Sequence, residues 1–404
     1  MTTATHPGPT LSFGDLSSDS NWLSGSISFD GHTSPFFFAA SEPIGTEFDA
    51  LFPVALQLAM KAGADVVRVP GALSPRLLGS AAQIQDILCA WDGSYVRTKV
   101  EADARAPGAP VGDAVACFFS GGVDSFYSVL KHDDEIKHLI FSLGFDLRLD
   151  GDPAPMRRAE TTAREVAEAL GKTLVVVRTD IRSFSDHYIS GWYFHGAILA
   201  AMGLLFQHRF RKVIIPSTHN YADLFPWGSH PLLDPLWSTE ETQFFHDGCE
   251  ATRPEKVRFI SSSEVAMNWL RVCFEPPETT YNCGRCEKCL RTMVALHLAG
   301  ALGRCRTLPD TLDLRAVSRI RIPDDNARAF VTENLVAVEQ AGGDPALERA
   351  LGRALRLGPR LARIESARAA LGARARGQLW ARAPRLTARL KRLRDRRRSH
   401  RGAR

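Results

Sequence analysis

The sequence lacks a long apolar run and the features of a secretion signal. Its longest uninterrupted apolar stretch, residues 196–206, is bounded by His195 and Gln207 and is much shorter than the roughly 20 residues that a membrane-crossing helix needs. The first twenty residues are polar and rich in Pro, Thr and Ser, without a basic start or an apolar core. These absences argue against a membrane span and lead us to expect a cytoplasmic protein.

Acidic residues are scarce at the C-terminal end. Residues 353–404 hold seventeen arginines and Lys391 against Glu365 and Asp395, a net charge of +16, so that the rest of the chain carries −11 within the total of +5. A domain that lies along nucleic acid needs positive charge on its folded body. We therefore expect any contact with nucleic acid or an anionic membrane to go through this basic tail, and a solvated extension is the alternative.

Alternating strand and helix patterns predict an α/β fold with a doubly wound parallel sheet. From residue 113 onward we expect strands at 115–119, 139–143, 174–177 and 213–216, and helices at 125–132, 159–170 and 193–208. The predicted domains are a disordered leader over 1–20, a small N-terminal α/β domain over 21–110, the parallel-sheet domain over 111–305, and a helical region with the basic tail over 306–404. Ligands of such sheets bind at the carboxyl ends of the strands, and so the loop after residue 119 is the first candidate site.

A glycine-rich hexapeptide, Ser-Gly-Gly-Val-Asp-Ser, follows that first strand and precedes a predicted helix. Gly121 and Gly122 let the backbone approach a phosphate group, while Ser120 and Ser125 add hydroxyl donors. A carboxylate beside phosphates is repelled unless a divalent cation bridges them, and so Asp124 implies Mg²⁺. An ordinary turn is the alternative, because these residue types form turns readily.

This hexapeptide resembles the SGGxDS signature of the PP-loop ATP pyrophosphatases, which cleave ATP between the α and β phosphates and pass AMP to a substrate. The resemblance implies an adenine nucleotide alpha hydrolase-like fold and bound ATP. The residues that would hold the leaving pyrophosphate are Ser120, Gly121, Gly122, Val123, Asp124 and Ser125. Members of this family place the adenine at the end of the second strand, where this sequence has Phe145 and Asp146; an ordinary loop is the alternative there.

The segment after the fourth predicted strand is aromatic and rich in proline, which is the composition of many substrate-recognition loops. Within it, His219 and Asp234 are candidate catalytic residues that would contact the substrate. A structural lid is the alternative for this segment.

Four of the eight cysteines crowd into seventeen residues, namely Cys273, Cys283, Cys286 and Cys289. Four soft ligands without a nearby carboxylate favour zinc, and a filled tetrahedron leaves no open position, so the site would be structural. An iron–sulfur cluster and unligated buried thiols are the alternatives.

The SGGxDS motif followed by the Cys and CxxCxxC pattern resembles the 7-cyano-7-deazaguanine synthases of queuosine precursor synthesis, over about residues 113–305. Asn282 and Arg291 bound the segment that fits the pattern of that family. The resemblance implies adenylation of a small-molecule carboxylate or amide, followed by attack of ammonia or another amine to give an amide or a nitrile.

Two other functions stay open at this stage. A PP-loop tRNA thiolase would need a reactive cysteine outside the metal cluster; Cys117 lies in the first predicted strand, which leaves Cys249. A catalytically silent recognition module would keep ATP only as a ligand. The sequence is also compatible with a homo-oligomer.

Overall fold

One ten-stranded sheet organises most of the described chain. Its strands, in chain order, are β1 (Thr10–Asp19), β2 (Trp22–Phe29), β3 (His32–Ala40), β4 (Val66–Leu73), β5 (Lys99–Ala104), β6 (Ala114–Phe118), β7 (His138–Leu143), β8 (Thr173–Thr179), β9 (Phe210–Pro216) and β10 (Gln243–Asp247). Their order in space is β10-β9-β6-β7-β8-β3-β2-β1-β4-β5. Neighbours are parallel from β10 to β8 and from β1 through β4 to β5, and antiparallel from β8 through β3 and β2 to β1. The predicted α/β class with a mostly parallel sheet is confirmed.

The computed structural model describes residues 8–109, 111–144, 149, 153–273 and 281–382. The α-helices of this part of the chain are α1 (Leu51–Ala62), α2 (Pro75–Gly79), α3 (Ala81–Trp91), α4 (Val123–Lys131), α5 (Pro153–Ala169), α6 (Arg182–Ser185), α7 (Gly191–Leu204), α8 (Arg253–Ile260), α9 (Glu264–Trp269), α10 (Glu287–Leu298), α11 (Leu314–Val317), α12 (Asp325–Gln340) and α13 (Pro345–Arg382). Among these helices, none is long and apolar enough to cross a membrane.

Helices cover both faces of the parallel part of the sheet. Successive residues of β6 alternate between two apolar clusters: Ala116 and Phe118 pack with α1 and α7, whereas Val115 and Cys117 pack with α4 and α8. A strand that is buried on both faces reads as a continuous apolar run, because neither set of side chains meets water. This is the reason that the sequence Ala-Val-Ala-Cys-Phe forms the central strand.

The predicted alternation between residues 113 and 216 is confirmed. Each expected strand and helix of this region has its counterpart in β6, α4, β7, α5, β8, α7 and β9, with ends that differ by a few residues. Helix α5 shows why the pattern was informative: Ala159, Ala163, Val166 and Ala167 are its buried residues, and their spacing places them on one side of the helix.

The expectation of a disordered leader over residues 1–20 is wrong for residues 10–19, which form β1. This strand pairs antiparallel with β2 and parallel with β4. Its core contacts come from Leu11, which is fully buried, and Phe13, whose ring meets the edge of Phe36 at a centroid distance of 5.5 Å. Most of its other side chains are small or polar, so that the strand is held by backbone pairing and gives a weak hydrophobic signal.

The N-terminal strands and the parallel strands share a single sheet through the antiparallel pair β3–β8. Two side chains reinforce this junction: the Asp180 carboxylate accepts a hydrogen bond from the Phe37 amide at 2.8 Å, and the Thr179 hydroxyl donates to the Phe37 carbonyl at 2.6 Å. The chain divides into two compact units after Leu312. The predicted boundary between residues 110 and 111 therefore lies within the first unit.

The second unit is helical in its described part and consists of α11, α12 and α13. Helices α12 and α13 pack against each other, with Phe330, Val331, Leu347 and Leu351 among their buried residues. The arginine-rich residues 383–404 lie outside the described chain, and so the predicted contacts of the basic tail stay predictions.

Candidate functional site

The turn at residues 120–125 connects the carboxyl end of β6 to the first residue of α4. Gly121 has a φ of +75°, a conformation that side chains with a Cβ rarely adopt, and Gly122 is the residue that caps α4. The hydroxyl of Ser125 donates to the Gly122 carbonyl at 3.0 Å, and the Ser120 hydroxyl lies 3.4 Å from that of Ser125. The turn thus places the first amides of α4 and two hydroxyls at the strand end.

Asp124, in the first turn of α4, is held by two cations from α8. Its carboxylate oxygens lie 3.0 Å from the Arg253 guanidinium and 3.3 Å from the Lys256 ammonium. Burial alone would raise the pKa of Asp124, but the charges of Arg253 and Lys256 outweigh it and lower the pKa. The carboxylate is therefore ionised at neutral pH, and two positive charges lie beside the glycine turn.

A cavity of about 440 Å³ opens beside this turn at the carboxyl ends of β6, β7 and β9. Ser120, Asp124 and Ser125 form part of its wall. Its volume falls in the range of about 300 to 1,000 Å³ that is typical of small-molecule and cofactor sites. The basic residues that line it are Arg182, Arg271 and Lys288, together with His195, His219, His230 and His246. The wall thus combines the glycine turn with several groups that can carry positive charge.

His219, a predicted site residue, lies in the cavity wall next to an aromatic group. Its ring meets the edges of Phe225 and Trp227 at centroid distances of 4.8 Å and 6.0 Å. Burial lowers the pKa of His219 to about 4, with help from the positive charges of Arg253 and Lys256 and against the opposing effect of Asp124. The imidazole is neutral at pH 7 and can accept or donate a hydrogen bond without adding charge.

Asp234, the other predicted catalytic residue, is fully buried and is not part of the cavity wall. Its Oδ2 atom lies 2.7 Å from Nδ1 of His246 and accepts a hydrogen bond from the Ser229 hydroxyl at 2.6 Å. Both His246 and Ser229 line the cavity. Asp234 therefore reaches the cavity only through these neighbours.

His246 is a residue that sequence reasoning missed, and the structure gives it an unusual environment. Its side chain is 3% exposed, and burial by itself would lower its pKa. Hydrogen bonds to Asp234 and Cys249, together with the negative charge of Asp234, instead raise the pKa of His246 to about 9. At neutral pH the ring is a buried cation that forms part of the cavity wall.

The four predicted metal ligands come together at the start of α10. The sulfur atoms of Cys273, Cys283, Cys286 and Cys289 all lie within 4.8 Å of one another. The Sγ atoms of Cys273 and Cys286 are 3.8 Å apart, as are those of Cys283 and Cys289. A tetrahedral zinc ion with Zn–S bonds of about 2.3 Å separates its sulfurs by about 3.8 Å. The cluster can therefore hold one metal ion such as zinc.

Hydrogen bonds fix the chain around this cluster. The amide of Cys286 donates to the Cys283 sulfur at 3.2 Å, and neighbouring thiols, Cys289 first, lower the pKa of Cys286 to about 5. The buried Asn282 accepts hydrogen bonds at Oδ1 from the amides of Val272 and Cys273, at 2.8 Å and 3.0 Å. The lowered pKa of Cys286 favours the thiolate form of this residue, which is the form that binds metal.

Phe145, the predicted adenine contact, and Asp146 lie outside the described residues. Sequence reasoning did not predict the two cations that bind Asp124. Arg253 and Lys256 lie far from the glycine turn in sequence and reach it only through the packing of α8 against α4. One sequence signal was present: Lys256 and Arg253 belong to a helix with a capping box, Thr252 and Glu255, which is the first helix after β10. The same capping pattern occurs in many helices without a site, and so it does not identify one.

Comparisons of the chain with protein families, with curated proteins and with solved structures found no match in any of the three. The chemistry of the cavity and of the cysteine cluster is therefore the basis on which a function can be argued.

Proposed function

We propose that the protein is a PP-loop ATP pyrophosphatase, which binds ATP in the cavity and transfers AMP to a small-molecule carboxylate or amide. The observation that carries the proposal is the position of the 120–125 turn. It starts α4 at the carboxyl end of a central parallel strand and forms part of the wall of a cavity of about 440 Å³. Helix-start amides beside a cavity in this position are a favourable site for phosphate groups.

Positive charge around the turn supports binding of the pyrophosphate part of ATP. Arg271 and Lys288 line the cavity, while Arg253 and Lys256 lie directly behind Asp124. Lys256 is 1% exposed and also donates to the Ser217 carbonyl at 2.7 Å, so that its position is fixed before a ligand arrives. Charges that are already oriented stabilise developing charge on phosphate without a cost for reorganisation.

Asp124 is the residue that would hold Mg²⁺. Among the described residues that line the cavity it is the only carboxylate, and Mg²⁺ in nucleotide sites is commonly held by one or two carboxylates together with phosphate oxygens. The bound ion would neutralise charge on the phosphates. The pairing of Asp124 with Arg253 and Lys256 keeps its carboxylate ionised and fixes its position.

The rest of the cavity wall suits an acceptor that carries a carboxylate. It includes Arg182 and also His246, which is a cation at neutral pH. The aromatic residues Trp192, Phe225 and Trp227 supply apolar wall. Neutral His219 can hydrogen bond to the acceptor or to the incoming amine. This arrangement supports adenylation of a carboxylate or amide, followed by attack of ammonia or another amine, as in 7-cyano-7-deazaguanine synthase-like enzymes.

The cysteine cluster has a structural role in this proposal, with zinc as the metal. Four thiolates fill a tetrahedral ion and leave no position for a substrate. The cluster also shares short chain segments with the cavity, because Arg271 precedes Cys273 by two residues and Lys288 lies between Cys286 and Cys289.

The test is to incubate the purified protein with ATP, Mg²⁺ and a panel of carboxylic acids and to separate the nucleotide products. The expected products are AMP and pyrophosphate, and formation of ADP would refute the proposed bond cleavage. Asp124→Asn should lower the rate of AMP formation about 100-fold or more. Asp133→Asn is the matched control, because Asp133 is an exposed carboxylate shortly after α4 that pairs with Lys172 away from the cavity.

A PP-loop thiolase is the second candidate, because Cys249 lies directly behind the cavity wall. Its thiol donates to the Ser217 hydroxyl at 3.2 Å. A thiolase would also release AMP, but its product would contain sulfur from an added donor. Mass spectrometry of the acceptor after reaction with ammonia or with a sulfur donor separates the two candidates. A recognition module that only binds ATP would release no AMP with either.

A further inference from the structure

Contacts from the N-terminal region, residues 8–109, reach the cavity wall at three places. The first contact comes from α1, where the side chain of Gln57 is buried. Its Nε2 atom donates a hydrogen bond to the Tyr193 carbonyl at 2.8 Å. Tyr193 lies in the first turn of α7, between Trp192 and His195, and both of these residues line the cavity. Gln57 therefore fixes the start of α7.

The second place is the loop that leads into β10, which is held by an ion pair with little exposure to water. The Arg105 guanidinium donates to both carboxylate oxygens of Glu241, at 2.7 Å and 2.8 Å, and to Asp49 at 3.1 Å. Asp49 and Glu241 are buried. A bidentate pair of this kind fixes geometry in addition to contributing energy. Strand β10 begins two residues after Glu241 and carries His246, which lines the cavity.

The third place is the ring of His230, which also lines the cavity. The Trp91 ring, at the end of α3, packs against the His230 ring at a centroid distance of 4.9 Å. The His230 amide donates to the Asp234 carboxylate at 3.3 Å, and that carboxylate lies 2.7 Å from Nδ1 of His246. The second and third places are thus joined within the cavity wall.

The start of α7 and the segment 217–230 pack against each other without intervening side chains. A Cβ atom at Gly196 would lie 1.8 Å from the Gly228 carbonyl oxygen, so that only glycine allows this close approach. Beside this contact, the rings of Trp192 and Trp227 have their centroids 5.5 Å apart. A displacement of α7 would therefore also displace the neighbouring part of the cavity wall.

We propose that Gln57 and Arg105 are positioning residues for acceptor binding, through which the N-terminal region holds the cavity wall that contacts the acceptor. The inference rests on the proposed function for the identity of that acceptor, a carboxylic acid. Gln57 and Arg105 are not among the described residues that line the cavity, and so each acts through residues that do. The cations that hold Asp124 come from α8 instead. We therefore expect ATP binding to be independent of both residues.

The first experiment measures hydrogen–deuterium exchange of backbone amides in the full-length protein without added ligand. Gln57→Met keeps the approximate size of the side chain and removes its hydrogen bond to Tyr193, whereas Arg105→Lys keeps the charge and removes the bidentate pair. Exchange should be at least about threefold faster at the start of α7 in the first variant and over residues 239–247 in the second, and unchanged in α4. Unchanged exchange at both places would overturn the proposal. Equal acceleration in α4 would also overturn it, because the contacts would then hold the whole fold.

The second experiment measures, by calorimetry, the separate binding of MgATP and of the carboxylic acid that gives the fastest AMP formation. If no acid gives AMP, the probe is benzoate, which combines a carboxylate with an aromatic ring. Each variant should weaken binding of the acid about tenfold, as expected for one lost hydrogen bond, and should change the Kd of MgATP by less than about twofold. An unchanged Kd for the acid would overturn the proposal, as would equal weakening for MgATP or a native protein that binds neither acid nor benzoate.

Two control variants remove similar interactions that do not reach the cavity wall. Gln85→Met removes another buried glutamine, which accepts a hydrogen bond from the Thr98 amide within the N-terminal region. Arg209→Lys alters a second ion pair of this region, with Glu42 at 3.1 Å. Both controls should bind the acid as the native protein does, and weaker binding in either would overturn the proposal. Because binding of the acid requires no cleavage of ATP, a protein that binds benzoate but forms no AMP would count against the proposed function alone.

Discussion

Replacing Asp234 by asparagine should change how the stability of the first unit depends on pH. In the native protein, hydrogen bonds to Asp234 and Cys249 and the negative charge of Asp234 overcome burial and raise the pKa of His246 from 6.5 to about 9. The side chains of His246 and Asp234 are 3% and 0% exposed, so that solvent screens this interaction little. At about 1.4 kcal/mol per pKa unit, the shift corresponds to about 3 kcal/mol.

The direction in which stability changes with pH follows from which state, folded or unfolded, binds the His246 proton more tightly. The folded protein holds the His246 proton more strongly than the unfolded chain, so that the stabilisation is complete below pH 6.5 and is lost as the pH rises toward 9. Asp234→Asn removes the carboxylate and most of this contribution. The difference in unfolding free energy between the native protein and the variant should be largest near pH 6 and should shrink by up to about 3 kcal/mol near pH 9.5.

The measurement is urea unfolding at a series of pH values, followed by tryptophan fluorescence. Asp234 also accepts hydrogen bonds from the Ser229 hydroxyl and the His230 amide, and loss of these bonds adds an offset that does not vary over this pH range. His246→Gln is the control, because it removes the titrating ring and should flatten the profile in the same way. A difference between the native protein and Asp234→Asn that stays constant from pH 6 to 9.5 would refute the reasoning.

Three further predictions concern the metal cluster, the glycine turn and His219. Elemental analysis of the native protein should find one zinc ion per chain, and Cys286→Ser should remove it and lower the melting temperature, since a structural zinc site contributes several kcal/mol, about 10 or more in small zinc peptides. Cys305→Ser should keep the metal. Equal zinc content in both variants would contradict the assignment of ligands. Gly121→Ala should destabilise the protein by about 1–2 kcal/mol, and the cause is the φ of +75° alone, because a new Cβ would have room, with its nearest neighbouring atom at 3.6 Å. Gly303→Ala should cost less in the same urea unfolding assay, because φ is not positive there and a new Cβ would meet no neighbouring atom within 4 Å. His219 should titrate at about 4 by NMR. Its contribution to stability should be present above pH 6.5 and be lost as the pH falls toward 4, because the folded state favours the neutral ring. Titration near 6.5 would mean that the ring is not buried.

The parts of the fold that the sequence predicted are those in which local pattern and tertiary environment agree. The strands from β6 to β9 are buried on both faces, and so each appears as a short apolar run between helices of regular spacing. The turn at 120–125 could also be predicted from local sequence, since the strand, the glycine pair and the start of the helix are contiguous in the chain. By contrast, β1 has one buried residue, Leu11, and its existence depends on pairing with β2 and β4.

The chemistry of the site depended on contacts that no local pattern specifies. Arg253 and Lys256 reach Asp124 across more than a hundred residues of chain. The role of Asp234 in substrate contact stays a prediction; in the structure its carboxylate binds His246, which lies in a strand with no motif. A carboxylate and a histidine twelve positions apart have no fixed relation in sequence, and the order of the strands in the sheet determines that they meet.

The cysteine cluster and the cavity are coupled through the backbone. Arg271, two residues before Cys273, donates its amide to the Gly121 carbonyl at 2.8 Å, and its side chain lines the cavity. Lys288, which also lines the cavity, lies between two of the cysteines in the first turn of α10. A metal ion that fixes the four sulfurs therefore also fixes two cations and one backbone contact of the glycine turn. Under the proposed function, this connection lets a site with no open coordination position support phosphate binding, and removal of the metal should weaken nucleotide affinity before it unfolds the sheet.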